Sequence, residues 1–285
     1  MLKDITTLIC SGGGIRGVSY VGVFKRMEEL FPNKLNITTV CGVSAGTLFG
    51  LMYILGYNSQ EMMKEILDKN FSRLKDVHVS YLLTLYGIET GNNIMTWIET
   101  LLIKKGISKD VTFRELYELS KIEFQVCVTN LSKYTYEIFN YKTQPDMKVT
   151  TGIRSSISIP FVFTIERHQD NIYVDGGLIN AYPIEHFKDN ISSVLGIKLD
   201  HEESSFVNIS GFESYIYNVI NCFLIHREKY EVMHGNKDMN KQTLRVQSGD
   251  VAHTLKFSLS KEEKMRMIQK GYESARSFFA SYGHS

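Results

Sequence analysis

The sequence predicts an α/β fold: a single three-layer domain, residues 1–285, in which a mostly parallel central sheet carries helices on both faces. Short apolar runs alternate with longer amphipathic segments along the chain, which is typical of strands connected by helices. Two of the apolar runs lead through glycine-rich turns directly into helical segments. The chain shows no internal repeat and no Pro/Ser-rich linker, so nothing in its composition divides it into parts.

The N-terminal part predicts two strand–turn–helix units. In each unit an apolar strand is followed by a glycine turn and then by a helix. The first unit places these elements at residues 5–10, 12–17 and 18–30, and the second at residues 37–41, 42–46 and 47–55. Two adjacent turns of this kind can share one site.

The later elements are predicted from their end signals. Asn58 or Ser59 can cap one helix, and Gly106 is a favoured residue just after another. Capping boxes at residues 112–115 and 260–263 begin two more. The predicted helices span residues 58–70, 92–105, a short segment from 112, 149–159, 212–229 and 260–280, and the predicted strands span residues 124–129, 136–140, 172–175, 193–199 and 244–247.

The composition excludes several classes of protein. Hydrophobic residues make up 43% and charged residues 22%, which is unlike a disordered or disulfide-scaffold chain. The formal net charge of +1 gives no overall attraction to nucleic acid. The N-terminus resembles no signal peptide, no apolar run is long enough to span a bilayer, and the four cysteines are widely spaced. We therefore expect an intracellular, cytoplasmic protein with buried thiols, whose membrane contact is peripheral.

The first motif with chemical meaning is the glycine run at residues 12–17. Its members are Gly12, Gly13, Gly14, Ile15, Arg16 and Gly17. Glycines leave backbone N–H groups exposed beside a helix N-terminus, which suits an anion or a developing oxyanion. The spacing also fits G-x-G-x-x-G of dinucleotide-binding proteins, but the second strand does not end in the acidic residue that would hold a ribose.

The second motif is Gly42-Val-Ser44-Ala-Gly46, a G-x-S-x-G sequence between an apolar strand and an apolar helix. This context is typical of a nucleophile elbow, in which the serine hydroxyl is exposed on a strained turn. The flanking glycines Gly42 and Gly46 let the strand and helix approach each other. Ser44 is therefore the candidate nucleophile.

The third motif is Asp175-Gly176-Gly177, which follows a predicted strand. An Asp-Gly-Gly sequence is most often a turn. In a parallel sheet, however, the carboxyl ends of the strands gather at one edge. We therefore expect Asp175, at the end of such a strand, to reach Ser44.

Taken together, these motifs resemble the patatin-like phospholipase family, and the likeness includes the Ser-rich segment 155–161 and the C-terminal segment from residue 257. The resemblance implies a Ser44–Asp175 dyad without histidine, with N–H groups of the glycine run around residues 13–15 as oxyanion hole. It also implies an acyl-enzyme intermediate, no cofactor or metal, and a phospholipid or other acyl-lipid substrate. The implied activity is that of a phospholipase A-type lipid acyl hydrolase.

Several alternatives stay open at this point. The same dyad could serve another ester or thioester hydrolase or an acyltransferase, and a non-catalytic nucleotide- or lipid-binding module belongs to a different class. His186 is the histidine to check for a conventional triad. Arg16 is equally consistent with a loop-holding residue and with a surface residue. The apolar faces within residues 58–71 and 77–107 suit core packing, an acyl channel or a lipid surface.

Overall fold

Helices and strands alternate along most of the chain. The structure, a computed structural model, describes residues 4–32, 35–202, 209, 211–212, 214–216, 218–220, 222–223, 237–250 and 258–283. Its strands are β1 (Thr7–Cys10), β2 (Thr39–Val43), β3 (Gly87–Glu89), β4 (Glu123–Asn130), β5 (Thr135–Phe139), β6 (Phe161–Phe163), β7 (Glu166–His168), β8 (Asn171–Asp175), β9 (Val194–Glu202) and β10 (Thr243–Asp250).

The helices carry most of the connections between these strands. They are α1 (Tyr20–Leu30), α2 (Ala45–Ile54), α3 (Ser59–Asp68), α4 (Tyr81–Thr84), α5 (Asn92–Lys104), α6 (Phe113–Ser120), α7 (Val149–Ser156), α8 (Lys237–Lys241) and α9 (Lys261–Ala280). Tighter 3₁₀ segments occur at Gly14–Ser19, Phe71–Leu74, Gly176–Leu178 and Ile184–Ser193. Within the described ranges, no helix combines the length and apolar character needed to cross a bilayer.

The main sheet contains eight of the described strands. Its order is β10-β9-β1-β2-β4-β8-β7, and β5 also pairs with β4. The first five run parallel, whereas β5, β8 and β7 join by antiparallel pairing. The predicted α/β class with a mostly parallel sheet is confirmed. A separate small sheet pairs β3 with β6.

Alternate residues of the central strands face opposite sides of the sheet. Leu8 and Val40 belong to the larger apolar core, which also contains side chains of α1, α2, α7 and α9. Ile9 and Cys41, one residue further along, belong to a smaller cluster against which Phe187 of the 3₁₀ segment and Met239 of α8 pack. Parallel strands buried on both faces carry such near-continuous apolar runs, and the layers are three, as predicted.

The predicted ends of the helices are mostly close to the observed ones. Thr112 and Ser260 form the predicted capping boxes, and Asn58 caps α3. The predicted helix 149–159 is too long, because α7 ends at Ser156 and Ile157 is its C-cap. The N–H of Ser158 then bonds to the carbonyl of Ser155, three residues back, which ends the α-helical pattern. The helix predicted for residues 212–229 lies partly outside the described residues; the described positions from 212 to 223 are helical.

Candidate active site

Ser44 occupies the turn between β2 and α2. Its backbone has φ 51° and ψ −125°, a region that L-residues rarely adopt and that costs about 1–3 kcal/mol. The first turn of α2 also lies very close to the end of β1: a β-carbon at Gly46 would overlap the carbonyl oxygen of Cys10. Thr47 closes the first turn of α2 by donating its N–H and its hydroxyl to the Ser44 carbonyl, at 2.9 and 2.6 Å. The side chain of Ser44 is thus held at a fixed, strained point.

Asp175 reaches this turn along one edge of β4. Val43, the last residue of β2, pairs with Cys127 of β4, and Asp175, the last residue of β8, pairs with Val128. β5 pairs with the half of β4 that also pairs with β8, so β5 lies along one edge of β4 and both β2 and β8 lie along the other. Because Ser44 follows Val43, β2 and β8 end facing each other. The structure thus brings Ser44 and Asp175 together, because β2 and β8 end beside neighbouring residues of β4.

The direction of β8 corrects the route by which Asp175 was expected to arrive. The sequence predicts the carboxyl end of a parallel strand, whereas β8 runs antiparallel to β4 and to β7. The tight connection between β7 and β8, in which His168 pairs with Asn171, sets these two strands antiparallel to each other. A connection this short joins only antiparallel strands. Asp175 therefore approaches Ser44 from the opposite direction.

The carboxylate of Asp175 is buried and oriented by its own turn. Its Oδ1 accepts a hydrogen bond of 2.7 Å from the N–H of Gly177. A β-carbon at Gly177 would lie 2.8 Å from this oxygen, so the close approach requires glycine. Among the described residues, the hydroxyl of Ser44 has no hydrogen-bond partner, and it is not bonded to Asp175. Such catalytic hydrogen bonds often form only when substrate is bound.

Two serines, one at the end of α7 and one just beyond it, hold both residues in place. Ser156 accepts a hydrogen bond of 2.9 Å from the backbone N–H of Ser44 and donates one of 2.7 Å to the carbonyl of Cys127. The carbonyl of Ser158 accepts a hydrogen bond of 2.9 Å from the backbone N–H of Asp175. The Ser-rich segment is therefore a positioning element. Its motif was visible in the sequence, but its contacts depend on tertiary placement.

Arg154 fixes the Ser-rich segment to neighbouring parts of the chain. Its guanidinium is buried and donates to the carbonyls of Thr90 and Thr164, at 2.7 and 2.9 Å, and to the hydroxyl of Ser158. The carboxylate of Glu166 lies 3.4 Å from its Nε. Burial lowers the pKa of Arg154 and raises the pKa of Glu166, because both charges have lost water. Many fixed acceptors compensate for the buried guanidinium.

The glycine run at residues 12–17, here called the glycine loop, lies against the turn that carries Ser44. A β-carbon at Gly12 would come within 3.5 Å of the Ser44 β-carbon. Gly14, at φ 54°, begins the 3₁₀ segment Gly14–Ser19, and a side chain there would be strained. The N–H of Gly12 donates to Ala181 and that of Arg16 to Gly13. Because these two N–H groups already donate to backbone carbonyls, they are not available to an oxyanion. Of the residues predicted to form the oxyanion hole, those around Gly14 remain as candidate donors.

Arg16 is a buried residue that holds the loop. Its side chain donates to the carbonyl of Gly13 and, across the sheet edge, to the carbonyl of Leu199 in β9, both at 3.2 Å. The alternative of a surface arginine is therefore wrong. His186 is exposed and its ring packs edge-on against Phe187. It lies outside the elbow and the Asp175 turn.

An apolar cavity of about 100 Å³ opens beside Ser44. Gly14 and Ile15 of the glycine loop form part of its wall. The rest of the wall is aliphatic and aromatic, and of the lining residues in the described part of the chain, Ser44 is the one with a hydroxyl. The segments predicted to have apolar faces contribute to it, including Ile66, Phe71, Ile94, Trp97 and Ile98. These faces are therefore both core and cavity wall.

Ser156→Ala is expected to lower kcat by roughly 10- to 100-fold while KM changes little. The substitution leaves the Ser44 N–H without its acceptor and lets the elbow relax, but it removes no group from the cavity. Steady-state kinetics with a soluble ester measure the two constants separately. Ser155→Ala is the matched control, because the neighbouring hydroxyl bonds only within α7, to Thr151. Equal losses in both variants would assign Ser156 a general structural role.

The fold is shared with solved structures of bacterial proteins. VipD from Legionella pneumophila aligns with 98% of this chain and 67% of its own at a TM-score of 0.63 and 16% identity. The type III effector protein ExoU aligns with 98% of this chain and 53% of its own, with a TM-score of 0.57 and 14% identity. At these identities the likeness concerns the fold.

The family follows from the sequence. The model of the patatin-like phospholipases matches residues 8–188, a stretch that contains the glycine loop, Ser44 and Asp175. The chain belongs to the patatin-like phospholipase family. The probable lipid hydrolase 463L of Invertebrate iridescent virus 6 is 27% identical over 279 residues, covering 94% of this chain and 90% of the relative. Triacylglycerol lipase 3 of Saccharomyces cerevisiae is 26% identical over 171 residues, or 53% of this chain and 26% of the relative. The chain is thus a patatin-like lipid hydrolase by family.

Proposed function

We propose that the protein hydrolyses fatty-acyl esters of phospholipids, as a phospholipase A-type enzyme with Ser44 as nucleophile and Asp175 as its base. One observation carries the proposal: the strained elbow places the Ser44 hydroxyl in the wall of an otherwise apolar cavity. An acyl chain is the substrate portion that such a wall favours, at about 0.8 kcal/mol for each buried methylene group. The family and its lipid-hydrolase relatives support the same substrate class.

In the first half of the reaction, the Ser44 oxygen attacks the ester carbonyl while Asp175 accepts the hydroxyl proton. The carbonyl oxygen becomes an oxyanion, which N–H groups of Gly13, Gly14 and Ile15 stabilise by hydrogen bonds. Each such donor typically contributes a factor of about 10² to 10³ in rate. The tetrahedral intermediate expels the lysophospholipid alcohol, which takes the proton back from Asp175, and leaves an acyl-enzyme.

In the second half, water attacks the acyl-enzyme and Asp175 accepts its proton. The same N–H groups stabilise the second oxyanion. Collapse of this intermediate breaks the bond to Ser44, returns the proton to the Ser44 oxygen and releases the fatty acid. The brace formed by Ser156 and Ser158 keeps the nucleophile and the base at their relative positions through both halves.

Release of fatty acid is expected to be the same in the presence and absence of EDTA. Backbone N–H groups supply the stabilisation of the oxyanion and Asp175 supplies the base, so no step of the proposed reaction uses a divalent cation. The measurement is fatty-acid release from phosphatidylcholine in mixed micelles, with trioleoylglycerol in parallel. Activity lost in EDTA and restored by Ca²⁺ would contradict this mechanism. Release from trioleoylglycerol alone would contradict the phospholipid substrate.

A further inference from the structure

Residues 77–86, here named the apolar loop, expose hydrophobic side chains beside the active site. The segment reads VHVSYLLTLY and contains no Asp, Glu, Lys or Arg. Leu83 is 87% exposed and Val79 67%, and Val77, Leu85 and Tyr86 are also exposed. Single exposed apolar residues are ordinary, but several together with no charge among them mark an interaction surface.

Hydrogen bonds join the two ends of the apolar loop. Asp76 accepts hydrogen bonds from the backbone N–H groups of Thr90, Gly91 and Asn92, at 2.9 to 3.2 Å, and from the Thr90 hydroxyl. Just above, His78 donates its N–H to the carbonyl of Ile88 at 2.6 Å. These hydrogen bonds hold the two ends of the loop together, so that the loop projects from the protein with its apolar side chains exposed.

Two aromatic residues of this surface have left-handed backbones. Tyr86 has φ 60° and Phe161 has φ 64°, where glycine or asparagine would be easier to accommodate. Tyr86 immediately precedes β3 and Phe161 is the first residue of β6, where it lies opposite Gly87. The two residues are 52% and 51% exposed. Two strained backbone positions therefore carry exposed aromatic rings, and strained positions are found preferentially at functional sites.

The apolar loop lies between two segments that line the cavity. Leu74, three residues before the loop, and Ile94, eight residues after it, both line the cavity that contains Ser44. Phe163 lines it as well, and its strand β6 pairs with β3 at the end of the loop. The segments before, after and beside the apolar loop thus all contribute apolar side chains to the cavity that contains Ser44. A ligand whose apolar part is continuous and large, namely the acyl layer of a lipid aggregate, matches both the loop and the cavity at once.

We propose that the apolar loop, together with Phe161, is the surface by which the protein docks on the acyl layer of a phospholipid bilayer. This inference rests on the proposed function, since it concerns how the same site receives its lipid. Leu83 and Val79 enter the acyl region, and the tyrosines Tyr81 and Tyr86 lie at headgroup depth, where amphipathic rings are favoured. The absence of charge from residues 77–86 removes the main cost of such insertion.

The test measures sedimentation with phosphatidylcholine vesicles, using the Ser44→Ala protein so that no lipid is consumed. The additional double substitution Val79→Ser and Leu83→Ser is expected to weaken vesicle binding at least about tenfold. The matched control is Ile103→Ser with Leu119→Ser, which removes two exposed apolar side chains from α5 and α6. The control pair is expected to bind vesicles like the Ser44→Ala parent.

The outcomes separate this inference from the proposed function. Hydrolysis of p-nitrophenyl butyrate by proteins that retain Ser44 tests the site without a bilayer, and the Val79/Leu83 variant is expected to keep full activity there. Failure to hydrolyse any ester would refute the proposed function, whatever the vesicles show. A parent that ignores vesicles, or a double variant that binds them equally, overturns the docking surface. A parent dimer that the double substitution dissociates also overturns it, because the loop would then be a subunit contact.

Discussion

Replacement of Ser44 by alanine is expected to lower kcat for ester hydrolysis by about 10⁴-fold or more. The substitution removes the proposed nucleophile without breaking a hydrogen bond, because the Ser44 hydroxyl has no hydrogen-bond partner among the described residues. The backbone of the elbow is held by Ser156 and Thr47 through main-chain atoms of residue 44, and these bonds remain. Fatty-acid release and hydrolysis of a soluble ester should therefore both fall to background at an unchanged melting temperature.

Ser19→Ala is a matched control for this experiment. Ser19 is also a buried serine, and its hydroxyl has no hydrogen-bond partner in the described part of the chain. It lies at the start of α1 and is not among the residues that line the cavity, so its replacement should leave kcat and KM unchanged. Full activity in the Ser44→Ala protein would show that another residue is the nucleophile.

Asp175→Asn is expected to lower kcat by about 10³-fold, within the range of a lost general base. Asparagine has the same shape, and its amide oxygen can still accept the hydrogen bond that Oδ1 receives from Gly177. The turn is therefore preserved while the proposed proton acceptor is removed. Steady-state kinetics with a soluble ester measure the loss, and thermal unfolding checks the fold.

The control for Asp175 is Asp170→Asn, an exposed carboxylate in the turn that precedes β8. It should retain full activity. Because the proposed mechanism uses Ser44 and Asp175 in one step, the double variant should be no slower than Ser44→Ala alone. A further drop in the double variant would mean that the two residues contribute independently. Loss of activity in His186→Ala would instead favour a conventional triad.

The sequence predicts the parts of this site whose determinants are local. Gly42, Ser44 and Gly46 identify the elbow because the steric demands of a sharp strand-to-helix turn involve only neighbouring residues. The capping boxes at Thr112 and Ser260 are predictable for the same reason. The alternation of apolar runs gives the layers, because strands buried on both faces must be apolar throughout.

The remaining parts depend on contacts between distant segments. A strand pattern carries no direction, so the antiparallel course of β8 was not predictable. Strands of three residues, such as β3 and β6, have no measurable periodicity. The hydrogen bonds of Ser156 to Ser44 and Cys127 join segments 112 and 29 residues apart, and a serine in a sequence does not indicate which of these it will make.

The pairing of β2 and β8 with one strand has a consequence for how the chain can vary in length. Val43 and Asp175 are bonded to consecutive residues of β4, so their separation is set by the repeat of a β-strand, about 3.3 Å per residue. The polypeptide between residues 44 and 175 contributes nothing to that distance except through β4 and the brace. Insertions or deletions in the surface connections of this stretch can therefore accumulate without changing the spacing of the two side chains. A family built in this way can remodel its surface loops while the geometry of these two residues stays constant.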